Sequence, residues 1–178
     1  GFGRIARATA LRAAAFGMNI IFCSHPPAGR LVDQGELARL PYAARQVSWN
    51  ELVASSDFLS LHVPLDTTTR HLVDAAVLAA MKPTAILVNT ARGPIIDENA
   101  LVSALRDGRL AGAGLDVYEH EPKLTPGLAD LINVVLLPHV GSATTKVRAR
   151  MAELCADNAV AIAHGSIPPH CVNPEAWQ

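Results

Sequence analysis

Short runs of apolar, often β-branched residues alternate along the chain with longer segments of helical periodicity. The apolar runs predict five strands, at residues 19–23, 57–63, 85–89, 112–117 and 134–137. The helical segments predict helices at residues 4–16, 49–55, 74–81, 98–107 and about 142–164. Because strands that alternate with helices pair in parallel through helical crossovers, the pattern predicts an α/β fold with a buried parallel sheet.

Turn residues support these boundaries. Gly17 and Gly108 each follow a predicted helix, where a left-handed C-terminal cap is expected. Asp97 precedes Glu-Asn-Ala-Leu as an N-cap. The Pro- and Gly-containing segment 24–41 is expected to be a loop with at most one helical turn, and segment 165–178 an extended strap. No linker divides the chain into two autonomous domains.

Composition excludes several classes of protein. Half of the 178 residues are hydrophobic and 17% are charged, so the chain has enough apolar surface for a core and is not a disordered, solvating sequence. The 15 basic and 16 acidic residues give a net charge of −1, which leaves no positive excess for nucleic acid. Its three cysteines lack a cystine-framework spacing, and no apolar run approaches a membrane span, which favours a cytoplasmic protein.

The first residues, Gly1-Phe2-Gly3-Arg4-Ile5-Ala6, have the G-x-G-x-x-[GA] pattern and open a predicted helix that is followed by a strand. Glycine allows a tight turn and close approach to a pyrophosphate, which the N–H groups of the helix terminus then face. An ordinary glycine turn before a helix explains this pattern about equally well on its own. The strand that should precede the turn is missing, so we expect a fragment.

The residues that follow the predicted strand at 19–23 set the expectation for cofactor preference. An acidic residue there would bind the adenosine ribose hydroxyls, whereas this chain has Ser24 and His25, with Arg30 nearby. A hydroxyl, a histidine and an arginine can hold a 2′-phosphate that an acid would repel. We therefore expect NADP to be accepted and preferred over NAD. The alternative is a loop without cofactor significance that leaves NAD weakly bound.

Three charged or titratable residues follow three successive predicted strands. Arg92, Glu121 and His139 each lie just past a strand end, and in an open parallel sheet those carboxyl ends form the ligand crevice. Arginine offers a two-pronged donor for a carboxylate, histidine exchanges a proton near neutral pH, and a carboxylate beside it can orient the ring. With a nicotinamide, this set predicts hydride transfer to a 2-oxo acid.

The other histidines carry less information. His62 stands at a strand end, where lining the cofactor site and a hydrogen-bonded loop position are both open. His120 is the neighbour of Glu121 and is expected to point elsewhere. No partner pattern singles out His71, His164 or His170, which are expected at the surface. Since no His, Cys or Asp cluster has ligand spacing, no metal site is predicted.

The chain resembles the D-isomer-specific 2-hydroxy acid dehydrogenases from Gly1 to Asn173. The resemblance lies in Asn-Thr-Ala-Arg-Gly with Ile-Asp-Glu at residues 89–98, Gly-Leu-Asp-Val-Tyr with Glu-Pro at 114–122, and Pro-His-Val-Gly-Ser at 138–142. It implies a Rossmann-type doubly wound parallel sheet with helices on both faces, here without its first strand. Residues 1–142 would form the NAD(P)-binding domain, and residues 143–178 a return helix and strap toward an absent substrate domain.

Site roles also follow from the resemblance. Arg92 would anchor the substrate, His139 would donate the proton, and Glu121 would be its carboxylate partner. The implied cofactor contacts are Gly1, Gly3, Arg4 and Ile5 at the pyrophosphate, Ser24, His25, Val63 and Pro64 near the adenosine, Thr90, Ala91 and Arg92 at the nicotinamide ribose, Asp116 at the carboxamide, and His139 and Gly141. The usual ribose-binding acid is absent at Ser24, as in the NADPH-using glyoxylate and hydroxypyruvate reductases of the family.

The expected function is reduction of a small 2-oxo acid of the glyoxylate or hydroxypyruvate type by NAD(P)H, in a homodimer. By itself, this fragment is expected to bind cofactor poorly and to turn over little, because loss of a central strand exposes two sheet edges. The alternative is a nucleotide-sensing regulatory module on the same scaffold, similar to the corepressors that resemble these enzymes and able to retain the same three residues.

Overall fold

The computed structural model describes residues 1–26 and 31–177, which form six strands and six α-helices. The strands are β1 (Ile20–Phe22), β2 (Ala44–Gln46), β3 (Phe58–Leu61), β4 (Ile86–Asn89), β5 (Gly112–Leu115) and β6 (Val134–Leu136). The helices are α1 (Arg4–Ala15), α2 (Gln34–Ala38), α3 (Trp49–Ser55), α4 (Ala75–Ala80), α5 (Glu98–Arg106) and α6 (Thr145–Ala163). Short 3₁₀ turns occur at Gly93–Ile95, Leu128–Asp130 and Pro174–Ala176.

All strand pairs are parallel, as the alternation of strands and helices predicts. β3, β4, β5 and β6 form one sheet in sequence order, with Leu59 opposite Leu87 and Leu87 opposite Ala113. β1 and β2 form a separate two-stranded sheet. The described strands thus form parallel sheets flanked by helices, which confirms the predicted α/β fold.

The predicted helix boundaries are confirmed to within a few residues. Asp97 accepts a hydrogen bond from the Ala100 N–H at 3.0 Å, which makes it the N-cap of α5. Gly17 and Gly108 have φ values of 77° and 69°, the left-handed caps expected after α1 and α5. The last helix begins at Thr145, later than predicted, because the Thr144 hydroxyl caps it.

The main core consists of aliphatic side chains from the four-stranded sheet and the helices beside it. Leu87 of β4 and Leu101 of α5 are completely buried within it. A smaller cluster joins α1 to β1 through Phe2, Ala6, Ala10 and Phe22. The described chain divides into two compact units, Gly1–Pro138 and His139–Gln178. Both sheets belong to the first unit, and α6 belongs to the second.

Candidate active site

The glycine turn is held between the carboxyl ends of β1 and β3. Phe2 is buried and stacks on Phe22, the last residue of β1, with ring centroids 3.6 Å apart. On the other side, a Cβ atom at Gly1 would lie 2.5 Å from the carbonyl oxygen of His62, one residue beyond β3. Only glycine allows the backbone this approach. The turn therefore contacts the ends of two strands, β1 and β3, that belong to different sheets.

The N-terminus of α1 opens from this turn and is suited to an anion. Gly3 is the N-cap residue, and among the described residues no side chain caps the helix. A Cβ atom at Gly3 would meet no atom within 4 Å, and Arg4 and Ile5 are exposed in the first turn. The unpaired N–H groups of a first helical turn bind phosphate oxygens well. These residues therefore fit the pyrophosphate of a dinucleotide.

Ser24 and His25 form a small polar pair directly after β1. Ser24 is only 5% exposed, and its hydroxyl lies 2.9 Å from Nδ1 of His25. His25 is exposed and has a φ of 54°, a left-handed conformation that is uncommon for a residue other than glycine. Arg30, the third residue of the predicted 2′-phosphate site, lies outside the described residues.

The end of β3 has an ordered hydrogen-bonding pattern. His62 lies 2.9 Å from the Ser60 hydroxyl through Nε2, and burial lowers the pKa of its imidazole. The sequence left two interpretations of His62 open, and the structure shows the hydrogen-bonded histidine. Val63 is buried against Gly1, while the Pro64 carbonyl accepts a hydrogen bond from the Thr69 hydroxyl at 2.7 Å.

Arg92 lies on a loop whose conformation is held by the Asn89 side chain. Asn89 is the last residue of β4 and is 1% exposed. Its side-chain amide donates to the Arg92 carbonyl and accepts from the Ala91 N–H, both at 3.0 Å. Thr90 and Arg92 are exposed on this loop. Sequence reasoning missed Asn89, although an Asn that ends a strand before a turn is a signal for such side-chain to backbone bonding.

Glu121 is placed by the loop after β5. Asp116 is buried directly after that strand, and its N–H donates to the Asn89 carbonyl at 3.0 Å. One carboxylate oxygen of Glu121 accepts from the Tyr118 N–H at 3.0 Å, while the residue as a whole is exposed. The Tyr118 hydroxyl in turn donates to the Leu137 carbonyl at 2.6 Å. The carboxylate is therefore oriented by its own loop.

The loops of Arg92 and Glu121 are packed directly on each other. A Cβ atom at Gly93 would overlap the carbonyl group of Tyr118 and the amide nitrogen of Glu119. No side chain fits between these two backbones. The structure thus brings together the stretches that follow β4 and β5, as expected for neighbouring strands of a parallel sheet.

His71 has a partner that no sequence pattern revealed. It was expected at the surface, and its side chain is 38% exposed, but its Nε2 lies 2.6 Å from Oε1 of Glu119. Glu119 is nearly buried, with a side-chain exposure of 7%. The two residues are 48 positions apart, so no local pattern could have linked them. His164 and His170 are exposed, as predicted.

His139 and Gly141 belong to the second compact unit, of which His139 is the first residue. His139 has a φ of 55°. Its role as proton donor beside Glu121 stays a prediction. His120 is exposed in a turn, where its carbonyl accepts a hydrogen bond from the Lys123 N–H at 2.9 Å. In the described part of the chain, no group of three His, Cys, Asp or Glu residues could hold a metal ion.

Comparison with known proteins agrees with this geometry. Residues 1–141 match the family model described as D-isomer specific 2-hydroxyacid dehydrogenase, NAD binding domain. The chain belongs to this family. It is similar to glyoxylate reductase of Thermococcus litoralis, with 48% identity over 175 residues that cover 98% of this chain and 51% of that protein. The chain spans about half the length of the curated relatives it matches.

Two solved structures extend the comparison to bound cofactors. An NADPH-dependent glyoxylate/hydroxypyruvate reductase from Sinorhizobium meliloti, in complex with NADP and malonate, has a TM-score of 0.79 and 39% identity over 90% of this chain and 47% of that one. An NAD complex of a D-isomer specific 2-hydroxyacid dehydrogenase from Lactobacillus delbrueckii ssp. bulgaricus has a TM-score of 0.82 and 30% identity over 97% of this chain and 54% of that one. The fold is therefore the Rossmann-type NAD(P)-binding domain of this family. No helix among the described residues is long and apolar enough to cross a membrane.

Proposed function

We propose that the protein transfers a hydride from NAD(P)H to a small 2-oxo acid of the glyoxylate or hydroxypyruvate type, giving the D-2-hydroxy acid. The observation that carries this proposal is the packing of Gly93 on Tyr118 and Glu119, which holds the loops of Arg92 and Glu121 together. An arginine and a carboxylate on two loops that pack against each other after neighbouring strands suit recognition and protonation of an oxo acid. The similarity to glyoxylate reductases supports the substrate class.

Each of the three predicted catalytic residues has a chemical role in this proposal. Arg92 binds the substrate carboxylate and carbonyl through its two-pronged guanidinium, which makes the encounter effectively intramolecular. As the family resemblance implies, His139 would donate a proton to the carbonyl oxygen, with Glu121 as the carboxylate of the acid/base pair. When bound, the reduced nicotinamide supplies the hydride to the carbonyl carbon.

The cofactor cradle is proposed from residues at four strand ends. Gly1, Gly3, Arg4 and Ile5 would face the pyrophosphate, in keeping with the uncapped α1 terminus. The further cofactor contacts are those that the family resemblance implies: Val63 and Pro64 near the adenosine, Thr90, Ala91 and Arg92 at the nicotinamide ribose, Asp116 at the carboxamide, and His139 and Gly141. Asp116 is already fixed by its backbone bond to Asn89.

We further propose that NADP is preferred over NAD. Ser24 and His25 hold each other at the end of β1, where an acidic residue would repel a 2′-phosphate. A hydroxyl and an imidazole can instead donate to phosphate oxygens. The Sinorhizobium meliloti relative, which is NADPH-dependent, supports this choice.

A homodimer in the cytoplasm completes the proposal. The exposed apolar side chains of α6, among them Val147, Met151 and Ile162, support a partner on that helix. Cys23, Cys155 and Cys171 are all free thiols, which suits a reducing compartment.

The proposal is tested by oxidation of NADPH and NADH in the presence of glyoxylate or hydroxypyruvate, using the complete gene product. Rapid NADPH-dependent turnover is the expected result. Cofactor affinity is measured in parallel by fluorescence titration. Tight cofactor binding with negligible turnover on every 2-oxo acid would instead favour the nucleotide-sensing regulatory module.

A further inference from the structure

His71 contacts both loops that carry the proposed substrate residues. Its backbone N–H donates to the Pro94 carbonyl at 2.8 Å, two residues after Arg92. Its ring Nε2 lies 2.6 Å from the Glu119 carboxylate, two residues before Glu121. A single residue outside both loops is therefore bonded to each of them.

The backbone of His71 is held in an unusual conformation. Its φ is 49°, in the left-handed region that costs an ordinary residue free energy and persists only where the surroundings enforce it. Hydrogen bonds of the neighbouring backbone hold this conformation. The Val73 N–H donates to the Ile95 carbonyl and the Asp97 N–H donates to the Val73 carbonyl, both at 3.0 Å. The segment around His71 is thus clamped along the Arg92 loop.

Glu119 is held by hydrogen bonds to the start of α5. Its carboxylate accepts from the Glu98 N–H at 3.4 Å, and its own N–H donates to the Glu98 carboxylate at 2.6 Å. Glu98 is 1% exposed, and its other oxygen accepts from the Thr125 hydroxyl at 2.6 Å. Arg70 lies 3.6 Å from Glu119 and adds positive charge. Carboxylates buried this deeply are stable only when such partners are in place.

We propose that His71 and Glu119 form a positioning pair that fixes Arg92 and Glu121 relative to each other. The inference rests on the proposed function for the roles of Arg92 and Glu121. Both of those residues are exposed on loops, so their spacing depends on what joins the loops behind them. Catalysis is sensitive to that spacing, since a displacement of about 1 Å can cost about 100-fold in rate.

The principal test is His71→Asn in the complete gene product. Asparagine tolerates a positive φ but is too short to reach Glu119. The expected result is a loss of about 10- to 100-fold in kcat/KM for the oxo acid, carried mainly by kcat. Amide hydrogen exchange should rise in both residues 93–97 and residues 116–121.

Matched variants separate positioning from simple loss of stability. Ser48→Ala removes the N-cap of α3, where the Ser48 hydroxyl accepts from the Glu51 N–H at 3.2 Å, and should lower the melting temperature without changing kcat/KM. Glu119→Ala should reproduce the kinetic defect of His71→Asn. If His71→Asn does not fold, Glu119→Ala serves as the test in its place. Glu119→Gln keeps an acceptor oxygen and should restore most of the activity.

The outcomes distinguish this inference from the proposed function. Unchanged hydrogen exchange in both loops of His71→Asn overturns the positioning pair, whatever the activity. A Glu119→Gln variant as defective as Glu119→Ala also overturns it. If the unmodified protein reduces no oxo acid while His71→Asn loosens both loops, the reaction assignment falls and the link between the loops is supported.

Discussion

The backbone of Gly93 lies directly against the carbonyl group of Tyr118, so closely that even a methyl group would overlap it. Gly93 follows Arg92, and the Tyr118 N–H holds the Glu121 carboxylate at 3.0 Å. One glycine contact therefore joins the two loops on which substrate recognition is proposed to depend.

The first prediction concerns that contact. Gly93→Ala should destabilise the protein by about 1–3 kcal/mol, because overpacking forces backbone shifts. It should also lower kcat/KM for the oxo acid, since Arg92 moves with the loop. Urea unfolding and steady-state kinetics measure the two effects. Gly114→Ala is the matched control, because a Cβ there would make an ordinary contact of 3.9 Å with Val88. Equal stability of both variants would contradict the prediction.

The second prediction concerns cofactor preference. Ser24→Asp should lower kcat/KM with NADPH at least about tenfold, because a carboxylate beside the 2′-phosphate costs about 1.4 kcal/mol or more. The efficiency with NADH should rise, since the new acid can accept from the ribose hydroxyls. Ser24→Ala is the control that removes the hydroxyl without adding charge. A strong preference of the unmodified protein for NADH would refute the premise.

The third prediction concerns the pH dependence of stability. Burial lowers the pKa of His62 from its ordinary value of 6.5. Below pH 6.5 the unfolded chain therefore binds a proton that the folded protein does not, and the free energy of unfolding falls as the pH decreases toward the folded pKa. His62→Gln should lose this component. Urea unfolding between pH 5 and pH 8 measures it, with exposed His164→Gln as the control. Identical pH profiles for the protein and His62→Gln would contradict the burial effect.

The sequence predicted elements whose signals are local. The apolar run that forms β4, the Asp97 cap and the left-handed Gly17 all depend on residues within one turn or one strand. β2 was not predicted, because Ala44-Arg45-Gln46 has no apolar run and is a strand only through its pairing with β1. The strand-end rule likewise predicted that Arg92 and Glu121 follow neighbouring strands.

The parts of the site that were missed depend on distant residues. His71 and Glu119 are 48 positions apart, and Glu98 and Glu119 are 21 apart. Each residue looks like an ordinary surface charge until the fold brings them together, because periodicity and spacing report only on near neighbours. The burial of Glu98 was hidden for the same reason, since its position at the start of α5 favours an acid for capping alone.

The most direct test of the proposed reaction is glyoxylate-dependent NADPH oxidation by the complete gene product and its Arg92→Ala variant, with NADPH binding measured separately. We expect rapid turnover that falls at least about 30-fold in Arg92→Ala, since loss of a charged anchor costs about 2–5 kcal/mol, while NADPH still binds. Arg109→Ala, which removes an exposed arginine paired with Asp107, should leave turnover unchanged. Full activity in Arg92→Ala, or no turnover by either protein despite cofactor binding, would contradict the account.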